Sequence, residues 1–444
     1  LKDAASAAIF GSKAANGVIL IETNKGLSGK PVFRYNSYVS SQNPTMIPEM
    51  LNSWEYAVAV NENNRNLGQQ TRYTDEEIDL FRAGTNPDYP NFHHIGYLFG
   101  SGKGLETKHD LSISGGTPET QYMFSLGYYD QQGIIKKNNA DRYNLRLNLD
   151  TRLNEKLRVS IKLAGTKTSS NEPSSPYGSG IGGIIHGAMR NSNAIHGPTP
   201  DGFWGRNETL HPEADLNSKS FSGSEASDFY SNGSVIWDIT KNLKITGQAG
   251  YTQNQYESKA FIATYPITPT YAITRNSLST SWSQSSALTL QSFLEYNKSF
   301  NDHSLQILAG TSGQAYESKY LNAFRDEFPN NEIYEIDAGA TVRATNGGGR
   351  SRNTLASYFG RANYNYGEKY LLEANFRYDG SSRFPEDGRW GLFPSFSAGL
   401  RISQEGFVQN ALPWVSDLKL RGSWGKLGNQ SISNYPYQDL IALG

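Results

Sequence analysis

Apolar and polar residues alternate along most of the chain, and a period of two is the pattern of β-strands. It is clearest at residues 142–150, where apolar Tyr143, Leu145, Leu147 and Leu149 interleave with polar Arg142, Asn144, Arg146, Asn148 and Asp150. One face of such a strand is apolar and the other is polar or charged. The same alternation predicts about thirteen strands, centred at residues 32–43, 107–115, 120–131, 142–153, 156–169, 227–239, 243–262, 281–299, 304–321, 354–366, 369–379, 393–403 and 418–428.

The connections between the predicted strands alternate between short and long. Short turns are predicted at 116–119, 154–155, 241–242, 301–304 and 367–368, and long loops at about 44–106, 170–226, 263–280 and 322–353. One short-turn position carries a longer connection, 404–416. Outer-membrane barrels place short turns at one rim and long loops at the other, and a soluble β-sandwich has no reason to do so. The connection lengths therefore favour a barrel over the sandwich, which the residue pattern alone leaves open.

Aromatic residues bracket the apolar stripes of two predicted strands. Tyr370 and Tyr378 stand at the two ends of one stripe, and Tyr122 and Tyr128 stand at the ends of another. Eight residues of a tilted strand cover about 20 Å of height, close to the apolar band that aromatic girdles flank in membrane barrels. The predicted fold is therefore a large antiparallel transmembrane β-barrel of the all-β class. A closed bacterial barrel has an even number of strands, so we expect further strands beyond Gly444.

Short helical segments are predicted outside the strands. Residues 50–66 and 74–83, in the first long loop, have amphipathic patterns, and Thr74 with Glu77 forms a capping-box pattern. Near the start of the chain an Ala-rich turn precedes an apolar strand at 18–21. One turn and one strand cannot make a core, so we expect the opening to be the end of a domain that lies mostly upstream.

Composition and charge exclude several classes of protein. Across 444 residues, Lys+Arg 41 against Asp+Glu 42 gives a net charge of -1, and without a block of like charge we expect no nucleic-acid partner. The absence of cysteine excludes disulfides, thiol catalysis and thiolate metal sites. The longest unbroken apolar run, Tyr56 to Val60, is far too short to span a bilayer, and with a mean hydropathy of -0.58 we expect no transmembrane helix. Alternation explains the low value, because the apolar half of a barrel strand is interleaved with a polar half.

The sequence predicts no catalytic, cofactor or metal site. Gly178, Gly180 and Gly183 have the spacing of a phosphate-binding loop, but they follow Pro176 in a predicted loop rather than a strand. The seven histidines form no zinc motif, and adjacent histidines such as those at 93 and 94 point apart on an extended chain. There is no Gly-x-Ser-x-Gly nucleophile motif. We therefore do not expect an enzyme.

Long loops and the polar face of the strands hold the remaining candidate residues. A wide barrel is not filled by its own side chains, so its charged positions are expected to line a wet lumen, paired with each other or with a plug: Arg142, Arg146, Glu373 and Arg377. Loop residues offer stacking faces and a charge for sugars or peptide side chains: Tyr177, Phe203, Trp204, Arg206 and Tyr265. The alternative is that these aromatics anchor the loops to one another.

Two segments carry a family resemblance. Residues 1–26 look like the end of the plug domain in SusC/RagA-type TonB-dependent transporters, with the matching residues Lys2, Asp3, Gly11, Asn16 and Gly17. The run from Arg377 to Phe384 resembles the mid-barrel signature of that family, with Asp379, Gly380, Ser381, Arg383 and Phe384, and the similarity continues through 390–395, 416–421 and 428–430. Residues 86–91 are similar to the first long loop of the family, and 92–94 depart from its usual continuation.

The resemblance implies a domain division and a function. Residues 1–27 would be the C-terminal end of a plug, and 28–444 would supply about thirteen of the roughly 22 strands of a plugged barrel. The implied activity is energised import of a glycan or a peptide across the outer membrane of a Gram-negative cell. Its implied partners are a SusD-like surface lipoprotein acting as a lid, TonB acting through a segment missing from this chain, and outer-membrane lipid. A dimer of transporter–lid pairs is a further expectation, and no cofactor is implied.

Two other functions stay open at the level of sequence. One is a passive porin or adhesin barrel, which the plug-like opening argues against. The other is a soluble carbohydrate-binding sandwich protein, which connection lengths and aromatic positions argue against.

Overall fold

The computed structural model describes residues 12, 26–176, 180–206 and 211–438. The predicted plug motif, Lys2, Asp3, Gly11, Asn16 and Gly17, therefore lies outside the described residues, as does Tyr177. Within the described residues, thirteen strands form one antiparallel sheet, in which each strand pairs with the next along the chain. The number of strands predicted from alternation is confirmed.

Fifteen strands are present in the described chain, because a small hairpin, β8–β9, forms a separate sheet. Their bounds are β1 Gly29–Ser41, β2 Leu105–Gly116, β3 Thr120–Gln132, β4 Asn139–Asn154, β5 Leu157–Glu172, β6 Phe221–Asp238, β7 Leu243–Ile262, β8 Tyr265–Thr268, β9 Tyr271–Ile273, β10 Ser277–Phe300, β11 His303–Asp326, β12 Ala340–Tyr366, β13 Tyr370–Ser381, β14 Trp390–Arg401 and β15 Lys419–Gly425. Strands β7 and β10 are adjacent in the large sheet. The hairpin is thus an excursion of the loop between them.

Helices lie mainly in the long connections. Their bounds are α1 Ser53–Asn66, α2 Asp75–Ala83, α3 His94–Phe99, α4 Gly180–Arg190, α5 Pro212–Asn217 and α6 Gly406–Ala411, with single 3-10 turns at Ile336–Ala338, Glu386–Gly388 and Ile402–Gln404. The predicted capping box is present, because the Thr74 side chain accepts from the Glu77 N–H at 3.2 Å and the Glu77 side chain accepts from the Thr74 N–H at 2.8 Å. None of the described helices has the length and apolarity needed to cross a membrane.

Connection length separates the two ends of the sheet as predicted. One end has tight turns at 117–119, 155–156, 239–242, 301–302 and 367–369, and the longer connection 402–418 that contains α6. The other end has the connections 42–104, 133–138, 173–220, 263–276, 327–339 and 382–389. We call this second end the loop end.

The predicted loop at 322–353 is too long. Strands β11 and β12 continue into it, with pairs such as Tyr320 with Gly349 and Phe324 with Thr345, and the loop itself covers only 327–339. Three consecutive glycines at 347–349 and exposed side chains around them remove the alternation of apolar and polar residues. A strand whose two faces meet the same environment has no period of two to detect.

The outward face of the sheet is apolar and exposed. Leu372 and Phe376, on β13, are 54% and 49% exposed, and their neighbours Phe396 and Trp424 on β14 and β15 are exposed as well. Exposing side chains of this size to water costs roughly 1.5–3 kcal/mol each relative to burial. A contiguous face of this kind is typical of a surface that contacts something other than water.

Stacked aromatic rings mark both edges of this apolar face. Towards the loop end, the rings of Tyr378 and Trp390 stack with centroids 4.8 Å apart, and at the other edge those of Tyr366 and Tyr370 stack at 6.1 Å. Gly380 makes room for the indole, since a Cβ there would lie 2.6 Å from the Trp390 ring. The predicted positions of Tyr370 and Tyr378 at opposite ends of the stripe are confirmed.

Candidate functional site in the loops and on the lumen wall

The long connections fold into a compact layer at the loop end, here called the loop cap: residues 42–104, 133–138, 173–220, 263–276 and 327–339, apart from 177–179 and 207–210. Its largest apolar cluster joins three connections, because α3 and α4 with α5 pack around Ile135 from the β3–β4 turn. Leu98, Ile184 and Leu216 are fully buried there. Two further clusters surround Phe81 and Phe261. The cap is therefore an ordered layer with its own cores.

A buried pair of ionisable side chains links two connections of the cap. His94 Nδ1 lies 2.8 Å from Glu213 Oε1, and the two side chains are 1% and 0% exposed. His94 Nε2 is 3.2 Å from the carbonyl oxygen of Ile195, which can only accept a hydrogen bond. Nε2 therefore donates to this carbonyl, and Nδ1 makes a second hydrogen bond with the Glu213 carboxyl group. The pair fastens α3 to α5.

Asp215 provides a second buried polar link, from α5 to the β8–β9 hairpin. The hydroxyl of Tyr265 donates a hydrogen bond to Asp215 Oδ1, and the Asp215 side chain is buried. Burial raises the pKa of Asp215, and the nearby Glu213 raises it further, whereas hydrogen bonds from Ser175 and Tyr265 oppose the rise. The same short helix thus carries two carboxyl groups that hold separate loops.

The β3–β4 turn reaches the end of α5 through two lysines. Lys136 Nζ donates to the side-chain oxygen of Asn217, and Lys137 Nζ donates to the carbonyl oxygen of Ser218. Burial, together with the charge of Lys136, lowers the pKa of Lys137 to about 8. Both amines satisfy acceptors at a helix C-terminus, where cations are favoured.

Two of the predicted substrate-contact residues, Trp204 and Tyr265, link connections of the cap. The backbone N–H of Trp204 donates to the Ile267 carbonyl at 2.8 Å, and its ring centroid lies 6.5 Å from that of Tyr97. Since Ile267 follows Tyr265 on β8, Trp204 and Tyr265 are brought to the same hairpin. These contacts support the alternative that loop aromatics anchor loops, although both rings remain partly exposed.

Phe203 and Arg206 make their described contacts close by in the chain. Thr199 N–H donates to the Phe203 carbonyl at 2.8 Å, and Arg206 forms a 2.8 Å ion pair with Asp201. Both side chains are partly exposed. The structure therefore leaves Phe203 and Arg206 at the cap surface.

The adjacent histidines point to different partners, as expected. His93 Nδ1 lies 3.1 Å from Asn193 Nδ2, while the His94 ring turns towards Glu213. Within the described ranges, no group of three or more His, Cys, Asp or Glu side chains is arranged to hold a metal ion. The importance of His94 was not evident from sequence, because its partner is 119 residues away.

The inward face of β12–β14 is a network of paired polar groups. Arg377 Nε donates to Asp379 at 2.7 Å and its Nη2 donates to Ser357 Oγ at 2.8 Å. Two residues along β13, Asn375 donates to Glu373 at 2.7 Å and accepts from Arg361 Nε at 2.8 Å. Two of the four charges predicted to line the lumen, Arg377 and Glu373, are thus paired on the wall.

The other two charges lie on β4. Arg142 lies over the ring of Tyr129, 5.4 Å from its centroid, and Arg146 is exposed on the same face. Arg142 is therefore held by a cation–π contact, which is favourable even at exposed sites.

The mid-barrel motif builds a contact with the opening of the chain. The backbone N–H of Ser12 donates to Asp379 Oδ2 at 2.7 Å, and the Ser12 carbonyl accepts from the Gln430 N–H at 3.2 Å. Arg383 Nη1 donates to the carbonyls of Ile432 and Gln430, at 2.7 and 3.1 Å. Contact between the two family motifs was not predicted, because nothing local relates positions 367 residues apart.

The remaining motif residues shape the turn after β13. Ser381 Oγ accepts from the Arg383 N–H at 3.3 Å, and the Ser381 carbonyl accepts from the Phe384 N–H at 3.3 Å. Together these bonds fix the turn from which the Arg383 guanidinium extends.

No family model matches the chain. It is 27% identical over 457 residues to "TonB-dependent receptor P3" of Formosa agariphila, covering 99% of this chain and 42% of that protein. It is 29% identical over 470 residues to "TonB-dependent receptor SusC" of Bacteroides thetaiotaomicron, covering 98% of this chain and 43% of that protein. The chain thus spans less than half the length of these relatives.

Solved structures show the same fold. The chain matches a structure of the RagAB peptide transporter with a TM-score of 0.78 and 23% identity, covering 99% of this chain and 52% of that one. It matches the RagAB peptide importer in the "closed-closed" state with a TM-score of 0.79, covering 100% and 52% of the two chains. The resemblance to SusC/RagA-type proteins stated from the two motifs is confirmed by these relatives and this fold.

Proposed function

We propose that this chain, a relative of SusC-type TonB-dependent receptors, forms part of an importer that takes a nutrient across the outer membrane of a Gram-negative cell. The observation that carries the proposal is 27–29% identity to TonB-dependent receptors, SusC among them, over 98–99% of the chain. In this proposal residues 28–444 belong to the barrel wall, and residues 1–27 are the end of a plug.

The exposed apolar face supports a location in the outer membrane. Its aromatic edges on β13, Tyr370 and Tyr378, are eight residues apart, which for a tilted strand is about 20 Å of height and close to the apolar band of outer-membrane barrels. Short turns at one end and long connections at the other fit a barrel with one rim in the periplasm. The loop end then faces outside.

The polar inward face supports a lumen that contacts a plug. Asp379 and Arg377 are nearly buried although they lie on the polar side of the sheet, and Ser12 covers that site. A plug blocks passive flow, so transport through such a barrel requires energy to displace it. We propose that TonB supplies this energy through a segment of the whole protein outside this chain.

The loop cap supports the capture of a glycan or a peptide beneath a lid. The loop end carries partly exposed side chains that could contact a ligand: Phe203, Trp204, Arg206 and Tyr265. Tyr177, which is not described, belongs to the same connection as Trp204. Rings of this kind stack on sugars and pack against peptide side chains alike. We propose a SusD-like surface lipoprotein as the lid, and a dimer of transporter–lid pairs as the assembly. No catalytic step is part of the proposal.

Growth on defined nutrients tests the function in the intact organism. The comparison uses the wild type, a strain lacking the full-length protein, and a strain with inactive TonB, on a panel of glycans and peptides as single nutrient sources. We expect one class of source to fail in both mutant strains, and the full-length gene to restore growth in the first. Copurification with the lid lipoprotein, followed by mass spectrometry of trapped ligand, identifies the substrate.

Two results contradict the proposal. Unchanged growth of the deletion strain on every source argues against import of these nutrients. Growth that requires the protein but not TonB supports a passive porin instead.

A further inference from the structure

We propose that the mid-barrel motif is a clamp that holds the chain at Ser12 against the lumen wall, and that it stays closed while the segment before Ser12 is pulled. The clamp consists of Arg377, Asp379, Arg383 and Gln430. The resting contact stands on the geometry alone, and only the behaviour under load rests on the proposed function.

Asp379 is oriented to receive a backbone N–H. Its Oδ1 accepts from Arg377 Nε and its Oδ2 accepts from the Ser12 N–H, both at 2.7 Å, so both oxygens are engaged. The Asp379 side chain is 2% exposed and that of Arg377 is 13% exposed. Hydrogen bonds to a charged group are stronger than neutral ones, and exclusion of water strengthens them further.

The second half of the clamp holds the Ser12 carbonyl. Gln430 donates its N–H to this oxygen, and Arg383 fixes the Gln430 segment by donating to its carbonyl and to that of Ile432. Both backbone groups of Ser12 are therefore bonded to the wall. The Ser12 hydroxyl has no hydrogen-bond partner among the described residues, so recognition is through the backbone.

Close approach of the segment around Gly428 to Ser12 requires glycine at position 428. A Cβ at Gly428 would lie 3.2 Å from Ser12 Cα and 2.3 Å from the Phe393 ring. Gly428 thus leaves room for the backbone at Ser12, which Asp379 binds. Residues from three separate parts of the resemblance converge on one contact.

The position of the clamp gives it a mechanical role. Ser12 is bonded to the wall beside β13 and β15, and Gly26 lies against β3, where a Cβ would be 2.5 Å from the Tyr122 carbonyl. Force applied before Ser12 passes along the chain and loads the Ser12 contact before anything after it. The clamp therefore shields residues 13–25 and the start of β1 from the pull.

A single cysteine at Ser12 tests the clamp in the full-length protein. The chain contains no cysteine, and Ser12→Cys replaces a hydroxyl that is buried without a partner among the described residues. The measurement is the rate at which a membrane-impermeant maleimide labels this thiol in isolated outer membranes. Asp379→Asn removes the charge with little change of shape, and Gln430→Pro removes the second donor outside the strands. Glu373→Gln is the matched control, being a carboxylate-to-amide change on the same face of β13.

We expect slow labelling of S12C alone and with E373Q. Labelling should be about tenfold faster or more with D379N, as loss of a charge-assisted bond implies, and roughly 2- to 10-fold faster with Q430P, which removes a neutral bond. Heat-modified migration on gels confirms that each barrel is folded. Equal rates in all folded variants would overturn the clamp.

The second arm follows labelling during energised import. If the clamp stays closed, S12C is labelled at its resting rate while transport proceeds. Labelling as fast as with D379N during transport overturns the load-bearing role. Failure of import altogether counts against the proposed function, and the resting arm then still decides whether the clamp exists.

Discussion

The outward face of the sheet and the loop cap treat the same kinds of side chain in opposite ways. Phe376 and Leu372 on the outward face are about half exposed, whereas Leu98 and Leu216 in the cap are fully buried. The cap even buries ionisable side chains, because His94 and Glu213 are hydrogen-bonded to each other. The apolar side chains at the centre of the cap are therefore shielded from water, whereas those on the outward face of the sheet are not. The difference supports the proposed placement of the sheet in a lipid environment and of the cap on the aqueous side.

Truncating a leucine in each region gives the largest expected contrast. Leu216→Ala leaves a cavity between packed helices and is expected to destabilise the cap by about 2–5 kcal/mol. Leu372→Ala leaves a space that lipid tails fill, because they are as apolar as leucine. Hydrogen exchange of cap amides measures both, and we expect faster exchange only in L216A. Equal protection in the two variants contradicts the separate core of the cap.

An arginine placed either on the outward or on the inward face of β13–β14, at the same height along the strands, tests which face contacts lipid. Ala374→Arg places a charge midway between the aromatic edges and is expected to cost about 2–4 kcal/mol in a bilayer. Ser397→Arg lies on the inward face opposite Glu373, with which Ser397 pairs, and is expected to cost little. The yield of heat-modifiable barrel in the outer membrane measures both. A larger loss for S397R than for A374R would reverse the assignment of faces.

The buried pair of the cap is expected to matter less than its apolar core. Glu213→Gln keeps the shape but weakens the bond to His94, at a cost of about 1–3 kcal/mol. Asp79→Asn is the matched control, because the Asp79–Arg82 pair is exposed and such pairs contribute about 0–1 kcal/mol. The rate of protease cleavage within residues 173–220 measures the effect, and we expect faster cleavage in E213Q than in D79N. Unchanged cleavage in E213Q shows that α3 and α5 hold together without the pair.

The pH dependence of the cap should depend on Lys137. Its pKa is about 8 in the folded chain against 10.5 ordinarily. Between these two pKa values the unfolded state binds more protons than the folded state, so the free energy of unfolding rises with pH in this window. Below the window Lys137 is protonated in both states, and the rise is absent. Comparing hydrogen exchange of the cap at pH 7.5 and 10 in the wild type and in Lys137→Gln isolates this effect. An identical pH response in both proteins excludes the lysine as its cause.

The strands were predictable from sequence because their two faces meet different environments. In β13, Leu372 and Phe376 alternate with Glu373 and Arg377, and the pattern is read directly. In the extension of β12 at 340–353 most side chains of both faces are exposed, so the residues show no such alternation. Local chemistry also revealed the capping box at Thr74.

The polar links of the cap and wall were not predictable from one sequence. His94 meets Glu213 across 119 residues, and Ser12 meets Asp379 across 367. A single histidine or aspartate has no local feature that names a distant partner. The sequence predicts Tyr265 as a candidate stacking face, and in the structure its hydroxyl is bonded to Asp215, a contact that depends on tertiary packing alone.

Lipid contact along one face of β13 is the central claim, and a cysteine scan of residues 370–378 in the full-length protein in outer membranes tests it most directly. Each single-cysteine variant is treated separately with a lipid-soluble and a membrane-impermeant thiol reagent. We predict a period of two, with lipid-phase labelling at 370, 372, 374, 376 and 378 and none at the odd positions between them. Labelling of the even positions by the impermeant reagent, or the absence of any alternation, would contradict the claim.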